Sequence, residues 1–142
     1  MAKAEITRDE WNEVVKATPG HIFEDRFDGP CRFMILRGPV SLCAYLGVPK
    51  GHPLWGMHHT HLHLQCHGGL NYSGEGGECL PNGFWWYRWD YAHAGDFAIF
   101  DGPTHLSSGA KKWTVEEVKE DTRGTIDQFK KLANLAVKVK EG

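Results

Sequence analysis

Phe84-Trp-Trp-Tyr-Arg-Trp-Asp-Tyr91 places six aromatic residues within eight positions, and this run limits the folds open to the chain more than any other segment. Alternate residues of a strand point to opposite faces. One face therefore carries Trp85, Tyr87, Trp89 and Tyr91, continued by His93, and the other carries Phe84, Trp86, Arg88 and Asp90. A single packed layer covers only one of these faces. Burying both requires a second packing layer, a subunit contact or a ligand, and the chain has 142 residues in which to supply it. That length suits one domain, 1–142, with a modest core.

The flanking segments supply further elements. Thr7-Arg-Asp-Glu10 is a capping-box pattern followed by Trp11, Val14 and Val15, which predicts a short N-terminal helix ended by Pro19-Gly20. Arg32 to Leu36 and Leu42 to Val48 read as a hairpin, and His59 to His67 as a third strand before the aromatic one. Pro49 to Gly56 and the glycine-rich stretch from Gly74 to Gly83 read as loops. Thr114-Val-Glu-Glu117 is a second capping box, with apolar or small residues at 115, 118, 122, 125/126, 129, 132 and 136. That stripe predicts a long amphipathic helix over about 114–140. The expected class is α+β: a small antiparallel β-sheet with an N-terminal helix and a long C-terminal amphipathic helix.

Charge and composition exclude several functions. Net charge is −2, so there is no basic field to hold long nucleic acid. No apolar run approaches the roughly 18 residues of a membrane helix, and the start MAKAEITRDEW lacks the apolar core of a signal peptide. Cys31, Cys43, Cys66 and Cys79 contain no CxxC pair, and three of them sit in or beside apolar stretches. They read as reduced thiols in a cytoplasmic protein rather than as a zinc ribbon or a disulfide framework.

Nine histidines are left to explain, five of them between 58 and 67. On a strand, His59, His61, His63, Gln65 and His67 share one face, opposite Leu62, Leu64 and Cys66. The histidine face must meet water, a ligand, a metal or another subunit. Imidazoles two residues apart on a strand can share a divalent metal, with Asp90, His93 or Asp96 the candidates for a third ligand; a metal-assisted variant takes His63 and His67 with an aspartate to activate water. Protonation of His59, His61 and His63 would set like charges against one another near pH 6. His67-Gly68-Gly69 adds a corner whose glycines permit close backbone approach and an anion-binding nest. Asp90-Tyr-Ala-His-Ala-Gly-Asp96 brings two carboxylates and an imidazole to the exit of the aromatic strand.

Leu42-Cys-Ala-Tyr-Leu-Gly-Val-Pro-Lys-Gly-His-Pro-Leu-Trp-Gly56, His67-Gly-Gly-Leu70 and Trp85-Trp86 through Asp96 follow one another in a specific order. Over about residues 30–100 the chain resembles a family of small proteins encoded by bacteriophages. His52, His67, Gly68, Gly69, Trp85, Trp86, Asp90, His93, Gly95 and Asp96 lie within that pattern. The run 58–63 departs from it, because acidic residues belong to that stretch in the family. The resemblance implies a phage accessory protein, and by analogy one that counters host defence by acting on a nucleotide signal.

Together these readings predict a phosphodiesterase-like hydrolase of a small nucleotide, such as a cyclic dinucleotide, in the cytoplasm of an infected bacterium. His67 and His93 are the expected acid–base pair, with Asp90 and Asp96 orienting them. Gly68, Gly69, Trp85, Trp86, Arg88, His52 and Tyr72 form the expected ligand-binding set, and a homo-oligomer is expected. A protein that only sequesters a cyclic dinucleotide or ADP-ribose derivative needs the aromatic and glycine elements but no proton transfer. In an interaction module the aromatics and histidines would instead form a subunit interface.

Overall fold

The computed structural model describes residues 8–76, 80–93, 96 and 111–141. Helix α1 spans Arg8–Lys16, and five strands follow: β1 Ile22–Asp28, β2 Cys31–Arg37, β3 Leu42–Pro49, β4 Tyr72–Gly74 and β5 Phe84–Asp90. Helix α2, Val115–Glu141, closes the described chain. The sheet is antiparallel throughout, in the order β1-β2-β3-β5-β4. This is the α+β arrangement expected, with a helix towards each end of the chain. Among the described residues no helix is long and apolar enough to cross a membrane.

Both faces of β5 carry buried aromatic rings, and the chain itself covers them. Tyr87, Trp89 and Tyr91 enter a core shared with Val14 of α1, Leu42, Ala44, Leu46 and Val48 of β3, and Val118, Ile126 and Phe129 of α2. On the opposite face Trp86 is 0% exposed, packed with Met34 and Leu36 and flanked by Tyr45, Tyr72, Leu80 and Phe84. Leu80 and Pro81 cover it there, and the Pro81 carbonyl accepts the Trp86 indole N–H at 3.1 Å. Opposite Trp86, β3 carries Gly47, where a Cβ would lie 2.7 Å from the indole ring. Trp86 thus lies flat over bare backbone, which is how so large a ring fits against the sheet.

The C-terminal capping box forms as its residues require. Thr114 Oγ1 accepts the Glu117 N–H at 3.2 Å, and Glu117 Oε1 accepts the Thr114 N–H at 3.1 Å. The face of α2 that follows buries Val115, Val118, Thr122, Thr125, Ile126 and Phe129. At the other end of the chain, buried Arg37 donates through Nε to the Val14 carbonyl at 2.8 Å and fastens α1 to the sheet. Thr7, the first residue of the N-terminal capping box, lies outside the described residues, as do Cys79 and Gly95.

The strand expected over His59–His67 does not form. His59–His61 make one 3₁₀ turn and residues 62–67 join no ladder. The alternation of faces survives without a partner strand: Leu62 and Leu64 are buried, while His61, His63 and Gln65 are exposed. The segment's backbone bonds go to α2 instead, with the Gln65 carbonyl accepting from Thr125 Oγ1 and its N–H donating to Gln128 Oε1. β1 and β4 were not expected. β1 is a half-exposed edge strand of sequence IFEDRFD, and β4 has three residues, so neither carries the apolar run that marks a buried strand.

Candidate functional site

The end of β5 and the His67-Gly68 corner meet. Asp90 is the last residue of β5, and beyond it His93 swings back over the corner, so close that a Cβ on Gly68 would lie 2.1 Å from His93 Nε2. Gly68 and Gly69 both have positive φ, 71° and 82°. The ring centroids of His67 and His93 are 5.8 Å apart, with planes at 63°.

Each imidazole has its own carboxylate. His67 Nε2 lies 2.6 Å from Asp96 Oδ2. Asp96 also accepts the His93 backbone N–H at 3.0 Å and the Trp113 indole N–H at 2.8 Å. Burial pushes the Asp96 carboxyl up, but the bonds from the His93 N–H, His67 and Trp113 outweigh it, and its pKa lies below the ordinary value. Asp96 is therefore a fixed anion behind His67.

His93 Nε2 lies 3.1 Å from Asp90 Oδ1. The contact is an ion-pair distance rather than an aligned hydrogen bond, and that nitrogen is buried with no other partner. Asp90 is itself held firmly: Asn71 Nδ2 donates to Oδ2 at 2.7 Å, Arg88 Nη1 at 3.0 Å, and the Ala92 N–H reaches Oδ1 at 3.3 Å. Arg88 in turn donates to Asn71 Oδ1, Tyr45 Oη and Cys43 Sγ, so its guanidinium is committed to this network.

The wall is aromatic. His67 stacks on Tyr91 at 4.8 Å and 8°, with the Trp113 edge at 4.9 Å. Tyr91 is fixed by its hydroxyl, which donates to Asp121 Oδ2 at 2.7 Å and accepts from the Trp89 indole. Burial, reinforced by Asp121, raises the Tyr91 phenol far above its ordinary value, so it stays neutral and serves as a platform. The two imidazole side chains keep 26% and 35% of their surface exposed, for His67 and His93 respectively, while the side chain of Asp96 keeps 5%. With both Nε2 atoms turned to carboxylates, the two part-exposed rings have their Nδ1 atoms left to take a proton from one atom and give one to another.

The structure thus brings together His67, His93, Asp90, Asp96 and Gly68. It disperses the rest of the expected set. Trp86 is sealed inside the sheet's second layer and offers no surface on which a base could stack. Tyr72 packs on that same side, and Arg88 is the brace of Asp90 rather than a free cation. The Gly69 N–H donates to the Cys66 carbonyl at 3.0 Å, so the corner does not offer two free N–H groups to an anion. Trp85 is half-buried, with its indole N–H on the Met57 carbonyl at 3.0 Å and Trp55 6.0 Å away. His52 stacks on Phe129 at 5.8 Å and lines a separate cavity of about 370 Å³ with Phe33, Pro53 and Val137.

His63 lines a polar hollow of about 440 Å³ with His59 and Gln65, while His67 is turned to Asp96. Among the described residues no three His, Cys, Asp or Glu side chains are placed to hold a metal, so the expected His63–His67–aspartate set is not assembled. His63 lies on the exposed side of residues 61–65, whereas His67 sits in the turn that follows and is engaged by Asp96. Sequence reading missed Asn71, Tyr91 and Trp113. Trp113 carried a usable signal: an apolar residue just before a capping box packs back against its surroundings.

No family model, curated protein or solved structure matches the chain.

Proposed function

We propose that the chain hydrolyses a phosphodiester bond in a small nucleotide-derived signal, using His67 and His93 as its acid–base pair. One imidazole removes the proton of the attacking hydroxyl or water, and the other protonates the oxygen that leaves. Asp96 and Asp90 orient the rings and balance the charge each acquires. The observation that carries this reading is the pairing itself: two half-buried imidazoles 5.8 Å apart, each beside its own carboxylate. Of the aromatic wall Tyr91 is buried beneath His67, and the part-exposed Trp113 suits a planar substrate group beside the reacting phosphate. The resemblance to phage-encoded proteins is the ground for choosing nucleotide signals of an infected bacterium as the substrate class. A homo-oligomer would use the exposed Ile22 and Phe27 of edge strand β1.

The test is incubation with a panel of cyclic dinucleotides and ADP-ribose derivatives, with and without EDTA, followed by denaturation and mass spectrometry. A new product mass that resists EDTA supports the reading. His67→Ala and His93→Ala should each lower turnover by at least about 10²-fold, the usual contribution of a positioned acid or base. Recovery of the ligand unchanged after depletion from solution would replace catalysis by sequestration. Full activity in both variants would remove these histidines from the chemistry.

A further inference from the structure

As a 3₁₀ turn, the histidine run brings together different residues than it would as a strand. Three residues complete one 3₁₀ turn, so positions i and i+3 lie one above the other. His58 caps the turn, the His61 N–H donates to its carbonyl at 2.9 Å, and both side chains are exposed. Their ring centroids are 6.3 Å apart at 64°. Two imidazoles bound to one ion, with metal–nitrogen bonds of about 2.0–2.1 Å, have centroids roughly 4.5–5 Å apart. Exposed side chains change rotamer in about picoseconds to nanoseconds, so closing the remaining gap requires no backbone movement.

We propose that His58 and His61 chelate one divalent transition ion of the nickel, copper or zinc type, with water in its remaining positions. His58 Nδ1 accepts the Thr60 N–H at 3.3 Å as the cap of the turn and lies 2.7 Å from Thr60 Oγ1. An ion on Nε2 places the ring proton on Nδ1, which exchanges the cap bond for donation to the Thr60 hydroxyl. Metal-bound imidazoles are normally oriented by such a second hydrogen bond. His59 stacks on His58 at 4.3 Å and is turned towards Ser73. The donors are all imidazole, which selects borderline ions over Mg²⁺ and Ca²⁺, both of which prefer oxygen. The site is open rather than enclosed, as two protein ligands require.

Isothermal titration of the untagged full chain with Ni²⁺, Cu²⁺ and Mg²⁺ tests this independently of any enzymatic activity. One Ni²⁺ should bind per chain, Cu²⁺ should bind more tightly, and Mg²⁺ should give no signal. His58→Gln and His61→Gln should each weaken Ni²⁺ by at least about tenfold, and Thr60→Val by about tenfold through the lost outer partner. His63→Gln and His67→Ala should leave it unchanged. Absence of saturable Ni²⁺ binding overturns the proposal. So does binding that survives the double His58→Gln/His61→Gln variant or disappears with His67→Ala.

Discussion

Gly68 and Gly69 share a backbone conformation but have different surroundings. Both have positive φ, so alanine costs roughly 1–2 kcal/mol of backbone strain at either position. At Gly69 nothing lies within 4 Å of an added Cβ, whereas at Gly68 the methyl would occupy the place of the His93 ring. Gly69→Ala should therefore lose stability only, while Gly68→Ala should lose about as much stability and displace His93 as well. Urea denaturation together with turnover separates the two effects, and equal activity in the two variants would show that His93 is not held by this corner. Asp96→Asn is the complementary change at the carboxylate. An amide at Oδ2 sets a donor against the His93 N–H, and an unsatisfied buried donor costs about 1–3 kcal/mol. Because the native Asp96 pKa is depressed, its stabilising contribution is complete above the unfolded value near 3.8 and is lost as pH falls through the lower folded value. The variant should be less stable at neutral pH and show a shallower loss of stability below about pH 4, measured by denaturation across pH.

Among the elements, α2 offers the clearest energetic test. Gly124 lies exposed within it, φ is not in the left-handed region, and an added Cβ meets nothing within 4 Å. Gly124→Ala should raise stability by about 0.8–1 kcal/mol, visible as a Tm increase of a few degrees. A loss of stability would mean that the exposed side of this turn is covered by something else. α2 was legible because its signals are local: Thr114 and Glu117 cap each other, and a 3.6-residue stripe needs only its own spacing. β3 and β5 were legible because an apolar or aromatic run of strand length has few alternatives. The His59–His67 segment was misread because its alternation is real while its partner is not a strand. Leu62 and Leu64 point inward, but the Gln65 backbone is bound by Thr125 and Gln128, some sixty residues away in the chain. The candidate site was half legible for the same reason. His67, His93, Asp90 and Asp96 sit in short motifs, whereas the Trp113 and Asn71 contacts depend on where distant segments arrive. Trp86 was assigned to a ligand because nothing local reveals that Leu80 and Pro81 fold over it.

At the scale of the whole molecule, the sheet carries buried side chains on both faces, and its cysteines report on both. Cys31 belongs to the core under α2, and Cys66 packs against the same core from the segment after the 3₁₀ turn. Cys43 is buried on β3, where its sulfur meets Arg88 at the network that braces Asp90. Burial raises the Cys31 thiol to about 11 and the Cys66 thiol to about 12. For Cys43 burial likewise wins over the nearby Arg88 guanidinium, and its pKa is raised. Relative to the ordinary value of 9.0, the shift at Cys31 leaves about a hundredfold less thiolate at pH 8, and the thiolate is the reactive form. Iodoacetamide should therefore modify Cys31, Cys43 and Cys66 in native buffer only through opening of the fold. Peptide-mapped labelling should show all three rising together across the urea transition, since they sample both faces of one sheet and a small domain opens cooperatively. If Cys66 instead labels at low urea while Cys31 and Cys43 stay protected, the segment that carries His67 opens on its own. The His67–Asp96 pair would then be made and broken without unfolding the sheet, and catalysis would depend on the closed fraction of that segment.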